Sequence, residues 1–498
     1  MVDAWLIVVI IITGIIMLAL NIYLFVIYCH PDDLSFGAGW FAKIMFLLGS
    51  AVSWGFLLIL PLDIANSRGT GGGLNIELMY MIFFILFLVF LVVLLPITLF
   101  IYESDDEKPI ISRFCGAFVL ELFFLIIIIV LAFVAYGALS TAVLCSLYTQ
   151  VVANLTVSEW TVAISATPTL LQNAVTYTVP PFLFPVIFLL FLGWFLFVVF
   201  GGIGLSALPM DMIIDYFYRP KPRSAKEIAE RKVALRRRTE ELLLFAKSIE
   251  EKNEDFKETA EEKGFFSKWR AKGSIRKNEK ELNKEVYKLE EEFEIFDIEQ
   301  NLTANPIWDI LKLIIGFLCA ALSIVILIHI IINVLIIING KPLTPCLNSV
   351  FVWLEFSIAR FVSTTFFTLF SLYLLACVIK GNIKFGLRLF FLIKIHPMKQ
   401  GRTYMNSFLF NGILILFCVP AVIHFQVILY QSYMQLTSSA FLFTTLVQNM
   451  KFFKWFYQTK FFIYCFVAWT GITFLYLLIK PKSDRIDIKK IIERRKKV

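Results

Sequence analysis

Apolar residues in this chain come in long unbroken runs separated by polar breaks, not in the alternating ten-residue segments of a membrane β-barrel. A run of about 20 apolar residues is what a helix needs to cross hydrocarbon with its backbone groups satisfied internally. The pattern predicts nine such helices, at residues 4–28, 40–62, 78–102, 114–140, 181–208, 308–339, 350–379, 404–430 and 461–480. The first run has no basic residues ahead of it and is too long for a cleavable signal, so it is expected to remain as a span. The expected fold is an all-α integral membrane protein, with five helices, a polar insert and four more helices.

That insert, residues 219–306, opens with Arg219 to Arg223, whose interspersed prolines end the preceding helix, and continues in balanced acidic and basic residues. Apolar positions recur at Leu235, Leu242, Phe245, Ile249 and Phe256, and again at Leu282, Val286, Leu289, Phe293 and Phe296. Spacing of three and four residues is the seam of a coiled coil, and Gly264 and Gly273 break it into two helices. An antiparallel coiled-coil hairpin is expected, either docking a cytoplasmic protein partner over residues 224–300 or packing only on itself. The chain thus divides into residues 1–218, a membrane half of five helices; 219–306, the hairpin; 307–480, a membrane half of four; and 481–498, a basic tail.

Composition adds the solvent. With 59% hydrophobic and 17% charged residues and a mean hydropathy of +0.79, most of the chain must sit in a lipid bilayer. The net charge of +8 is concentrated, since residues 380–402 and 480–497 are basic. Positive loops stay in the cytoplasm, so the hairpin and C-terminus are expected there, with the N-terminus outside. The charge asymmetry reflects topology, and no nucleic-acid partner is expected. The sequon at Asn154 then falls outside, whereas a second at Asn301 falls inside; Lys451, Lys454 and Lys460, placed outside, run against the rule.

Ionisable groups in hydrocarbon are costly and mark candidate sites. Glu121 in the fourth helix is read as a proton or substrate site, or as one half of an interhelical ion pair. Glu355 and Arg360, five residues apart in the expected seventh helix, form a candidate polar seam. His329, Asn333, His424 and Asn411 offer interhelical hydrogen bonds, with His424 one turn beyond Pro420. Gly201, Gly202 and Gly204 before Pro209 form a small-residue surface on which another helix can pack closely. The eight cysteines show no metal-ligand spacing, and neither a nucleophile elbow nor a zinc-protease motif occurs. No enzyme activity, metal or cofactor is expected.

Several segments together resemble the limb-region-like membrane protein family, which includes lipocalin-interacting membrane receptors and lysosomal cobalamin exporters. They are Leu60 to Asn66, Phe100 to Glu103, Gly201 to Asp211, His396 to Lys399 and Met405 to Asn411. The resemblance spans nearly the whole chain. It implies nine helices with an outer N-terminus, an endolysosomal or plasma membrane, and a small-molecule or lipocalin-type ligand. The function expected is that of a receptor or scaffold coupling an outer ligand to cytoplasmic partners; the alternative is transport of a cobalamin-like small molecule.

Overall fold

The computed structural model describes residues 4–30, 33, 39–67, 73–104, 109–148, 171–217, 225–258, 277–290, 292–293, 296, 306–338, 341–357, 360–389, 393–399, 403–435, 437–450 and 452–479. Among them, nine helices are long and apolar enough to cross a membrane. In chain order they begin with α1 (Ala4–Tyr28), α2 (Trp40–Ser67), α3 (Ile76–Glu103) and α4 (Ile110–Leu139). A β-hairpin follows, Thr141–Tyr148 paired antiparallel with Leu171–Thr178, in what the sequence reads as plain loop. Then come α5 (Phe184–Phe217), α6 (Ala225–Glu258) and α7 (277–290). The remainder is α8 (Pro306–His329), α9 (Leu347–Ser357), α10 (Arg360–Phe385), α11 (Met405–Leu429), α12 (Ser438–Ala440), α13 (Lys454–Gln458) and α14 (Phe461–Ile479).

The chain separates into two compact units. One holds Met1–Leu208 and Ala320–Ile479, and the other includes Pro209–Cys319. Inside the first, burial sorts the spans: 72% of the α11 span is buried, against 11% of the α4 span. Helix α11 is therefore a central post, and α4 shows most of its surface to lipid. Pro61, Pro209 and Pro420 all lie within helical spans, and α5 runs on to Phe217 instead of stopping at 208.

Two further expectations need correction. The apolar run 350–379 is not one helix. The Ser363 hydroxyl donates to the Phe351 carbonyl at 2.9 Å, a contact that twelve residues of continuous helix would place roughly 18 Å apart, so α9 folds back on α10. Glu355 and Arg360 accordingly lie on different helices. Residues 430–460 are not a solvated loop either. Tyr430, Tyr433, Met434, Phe443, Met450 and Phe453 in this segment are all buried. Lys460 donates to the Val334 carbonyl near the end of the π-helical turn Ile330–Leu335 that prolongs α8. A cation there meets exposed helix carbonyls, which accommodates one of the charges that ran against the topology; burial lowers its ammonium pKa.

In the second unit, α6 and α7 are joined by Arg238, which pairs with Glu292 at 3.0 Å and Glu285 at 3.2 Å. Leu235, Ile249 and Phe296 are buried. Phe245 and Phe293 are instead exposed, a correction to the expected seam. Leu242, Leu282, Val286 and Leu289 of the expected seam are half-buried, as are Arg238, Glu285 and Glu292, so an ion pair flanks the apolar positions. The side chain of Phe256, the sequons Asn154 and Asn301, and the basic tail lie outside the described residues.

Candidate functional site

Helices α1, α2, α10 and α11 enclose a pocket of about 630 Å3 including its open part. Its inner part is walled by Trp54, Leu375 and Ile415, and it reaches the helix ends at Tyr28, Ile383 and Met398. The lining is mainly aliphatic and aromatic, with two fixed polar points. At one, the Trp54 indole donates to the Asn21 side-chain oxygen at 3.0 Å. At the other, the Asn411 amide donates to the His396 carbonyl at 3.0 Å and the Ser407 carbonyl at 2.7 Å.

A polar knot ties together the ends of α1, α3 and α11, and its central residues, Asp33, Tyr102 and Met405, are not among those lining the pocket. Met405 N–H at the start of α11 donates to Asp33 Oδ2 at 2.9 Å, and the Tyr102 hydroxyl lies 2.9 Å from both carboxylate oxygens. His30 N–H donates to the Thr403 carbonyl at 2.9 Å, and the His30 ring stacks on Tyr404. Thr403 in turn closes the Lys399 turn, accepting from Lys399 N–H at 2.9 Å. His396 takes a positive φ of 49°, a left-handed conformation costly to a residue with a Cβ. Its carbonyl is thereby held by Asn411, which also faces the pocket.

The residues singled out from sequence do not form one seam. Asn411 alone of them lines the pocket. His424 lies on the same helix about 20 Å away, where its Nδ1 accepts from the Trp194 indole at 3.1 Å. An indole can only donate, so Nε2 carries the proton and faces the Gln448 amide at 3.4 Å. Phe443 and Tyr457 close round the ring. His329, Asn333 and Asn348 all donate to the Leu429 carbonyl, at 3.0, 3.0 and 3.2 Å, gathering α8 and α9 at the end of α11. The Arg360 side chain lies outside the described residues, and Glu355 is half-buried on α9.

Glu121 is buried on α4 with no hydrogen-bond partner on either oxygen among the described residues. No ion pair to a neighbouring helix is seen there. Glu121→Gln, the same shape without the acid, is expected to leave the thermal stability of the purified protein unchanged or raise it. A drop of about 2 kcal/mol or more would reveal an ion-pair partner.

Glycines bring helix backbones into contact. A Cβ on Gly204 of α5 would meet the Cys377 carbonyl of α10, and one on Gly381 of α10 would meet the Phe200 carbonyl of α5. The crossing is reciprocal, each glycine facing the other helix's carbonyl four residues from its own partner. Gly202 faces Phe466 and Trp469 of α14, and Gly201 lies against Phe197 and Phe466. Sequence reading missed Asp33, Trp54 with Asn21, and Asp63. Asp63 on α2 accepts from Ser438 N–H at 3.2 Å, Ser439 N–H at 2.7 Å and the Ser439 hydroxyl at 2.6 Å.

Comparison with known proteins gives a consistent relationship. A family model described as LMBR1-like membrane protein matches residues 6–265 and 268–478. A LIMR family protein of Dictyostelium discoideum is 32% identical over 529 residues, spanning 98% of this chain and 100% of its own. LIMR family proteins of Arabidopsis thaliana and of Oryza sativa subsp. japonica are each 29% identical, covering 95% and 94% of both chains respectively. No solved structure matches the chain.

Proposed function

The chain belongs to the LMBR1-like membrane protein family, and from that premise we propose that it is a membrane receptor or scaffold whose pocket holds an apolar ligand. Occupancy is read out by cytoplasmic partners through the α6–α7 hairpin. The carrying observation is that the pocket wall is tied to the 396–399 loop: Met398 of the loop lines the pocket, and Asn411, which lines it too, donates to the His396 carbonyl. A ligand that displaces them shifts the loop, so binding has a mechanical output.

In this reading the basic segments face the cytoplasm, the N-terminus lies outside, and the membrane is endolysosomal or plasma. Read as the two arms of a hairpin, α6 and α7 are linked by Arg238 with Glu285 and Glu292, and they expose Phe245 and Phe293. Glu292, then Glu285, holds the Arg238 guanidinium above its usual range, while Lys288, then Arg238, holds the Glu285 carboxyl below its own. Exposed pairs of this kind guide a partner more than they stabilise the fold. No catalytic step is assigned. The alternative, passage of a cobalamin-like molecule, is less well matched, because an amide-fringed corrin ring finds few hydrogen-bonding partners on this lining.

Ser50 supplies the test. It lines the pocket, and its hydroxyl only bonds back to the Leu47 carbonyl of its own helix at 2.9 Å. Ser50→Phe therefore fills the pocket without orphaning a distant group. In full-length protein reconstituted in nanodiscs, it is expected to change hydrogen-exchange protection across 225–258 and 277–290. Unchanged protection there, together with ligand flux across sealed vesicles, would replace the receptor reading with transport.

A further inference from the structure

We propose that the pocket takes an uncharged lipid by a hydroxyl group, which accepts from the Asn21 amide and donates to the Asn411 side-chain oxygen. The inference rests on the reading of this pocket as a ligand site and names the class of ligand. Three observations carry it.

The first is that both amides are fixed in orientation and each keeps one end unused. An indole only donates, so the Asn21 atom that meets Trp54 at 3.0 Å is its oxygen, and the Asn21 nitrogen is left over as a donor. Asn411 meets two backbone carbonyls through its nitrogen, which leaves Oδ1 as an acceptor. Neither leftover atom has a hydrogen-bond partner among the described residues. Asn21 is 7% exposed and Asn411 1%, and both line the pocket. Neither leftover atom is sealed in protein, as the unsatisfied Asn382 Oδ1 is. A buried donor and acceptor cost free energy until a partner meets them.

The second is their placement. The end of α1 and the start of α11 are tied where His30 N–H donates to the Thr403 carbonyl. Asn21 lies seven residues before Tyr28, the last of α1, and Asn411 six after Met405, the first of α11, so each amide sits about 10 Å in from the same end. One turn nearer that end, Phe25, Phe46 and Phe408 pack ring on ring with centroids 5.1 to 6.0 Å apart. All three rings line the pocket, so a ligand with its polar group at the amides lays an apolar body along them.

The third is the absence of charge from the wall. None of the described lining residues is ionisable to a charge at neutral pH, and the remaining polar ones, Ser50 and Ser53, spend their hydroxyl hydrogens on the Leu47 and Gly49 carbonyls of their own helix. A charged headgroup would enter without a counter-ion, at a cost that an uncharged one avoids. A hydroxyl both accepts and donates, and is the smallest group that answers both amides.

Trp54 gives the probe, since its ring lies in the pocket wall and is nearly buried. Full-length protein in phosphatidylcholine nanodiscs is titrated with three probes sharing one bromine-bearing alkyl chain: the alcohol, its methyl ether and the plain alkane. Quenching is read on the part of the tryptophan emission that Trp54→Phe removes. The ether can only accept, so it gains the Asn21 contact alone, whereas the alcohol gains both. Each step from alkane to ether to alcohol is expected to reach half-quenching at a roughly fivefold lower probe fraction, as one net hydrogen bond of ordinary strength gives. Asn21→Leu should bring the ether level with the alkane while leaving the alkane unchanged. Ser50→Phe should abolish quenching by all three, and the total emission it protects replaces the Trp54→Phe difference should that variant fail to fold. An alcohol no better than its ether overturns the hydroxyl assignment, and three equal probes overturn any polar recognition while leaving an apolar ligand site. Absence of quenching by all three overturns the ligand site itself.

Discussion

Gly204→Ala is expected to separate α5 from α10 and to lower the stability of the purified protein by about 3 kcal/mol or more, at the upper end for overpacking. A methyl group on Gly204 would overlap the Cys377 carbonyl, which is backbone and cannot rotate away. Gly381→Ala should cost a similar amount at the Phe200 carbonyl. Because the two sites share one crossing, the double variant should cost less than the two singles together, since the helices are already apart. Gly116→Ala is the control: nothing lies within 4 Å of its added Cβ, and its change should stay within about 0.5 kcal/mol. Thermal unfolding in detergent measures all four. A Gly204→Ala protein as stable as the control would show that these backbones do not touch.

The second large effect falls on Asp63. Its two oxygens accept from Ser438 N–H, Ser439 N–H and the Ser439 hydroxyl, all at the start of α12, with the carboxylate itself only 1% exposed. Hydrogen bonds to a charged group contribute more than neutral ones, and buried donors left behind cost their desolvation. Asp63→Ala is expected to destabilise by about 3–5 kcal/mol. Asp63→Asn keeps one acceptor oxygen but turns an N–H toward donors, for a loss of about 2 kcal/mol. The freed segment should show first as faster tryptic cleavage at Lys454 in α13, ahead of global unfolding. Cleavage rates identical to the parent protein would remove the anchoring role.

Asp63 also shows how narrowly a site can escape sequence reading. Any acidic residue inside a span qualifies as a candidate, yet hydropathy ends the second helix at 62, one position short. The helix in fact continues to Ser67, because Asp63 is satisfied by Ser438 and Ser439 and needs no water. The same cause hid Asp33, which follows α1 and looks like an ordinary exposed turn until Tyr102 and Met405 close over it. Conversely, Glu355 and Arg360 looked paired because an apolar run conceals the reversal between α9 and α10. The small-residue cluster at Gly201 to Gly204 was readable, since a surface without side chains invites a close helix whatever its partner. The matching Gly381 was not, because a lone glycine beside Lys380 carries no comparable signal.

The number of candidate membrane spans and the placement of most of them were determined by the sequence alone, the seventh, at Phe361–Phe385, being the exception: length and apolarity are local properties, and hydrocarbon tests each segment separately. The coarse family relationship was legible for the same reason, through short contiguous motifs. Tertiary structure alone decided which polar groups meet, where the helices close around a pocket, and that residues 430–460 fold inward. Those outcomes depend on partners hundreds of positions apart, such as Asp63 and Ser439 at a separation of 376. A buried polar group is tolerated only when its partner arrives in space, and no one-dimensional pattern records that arrival.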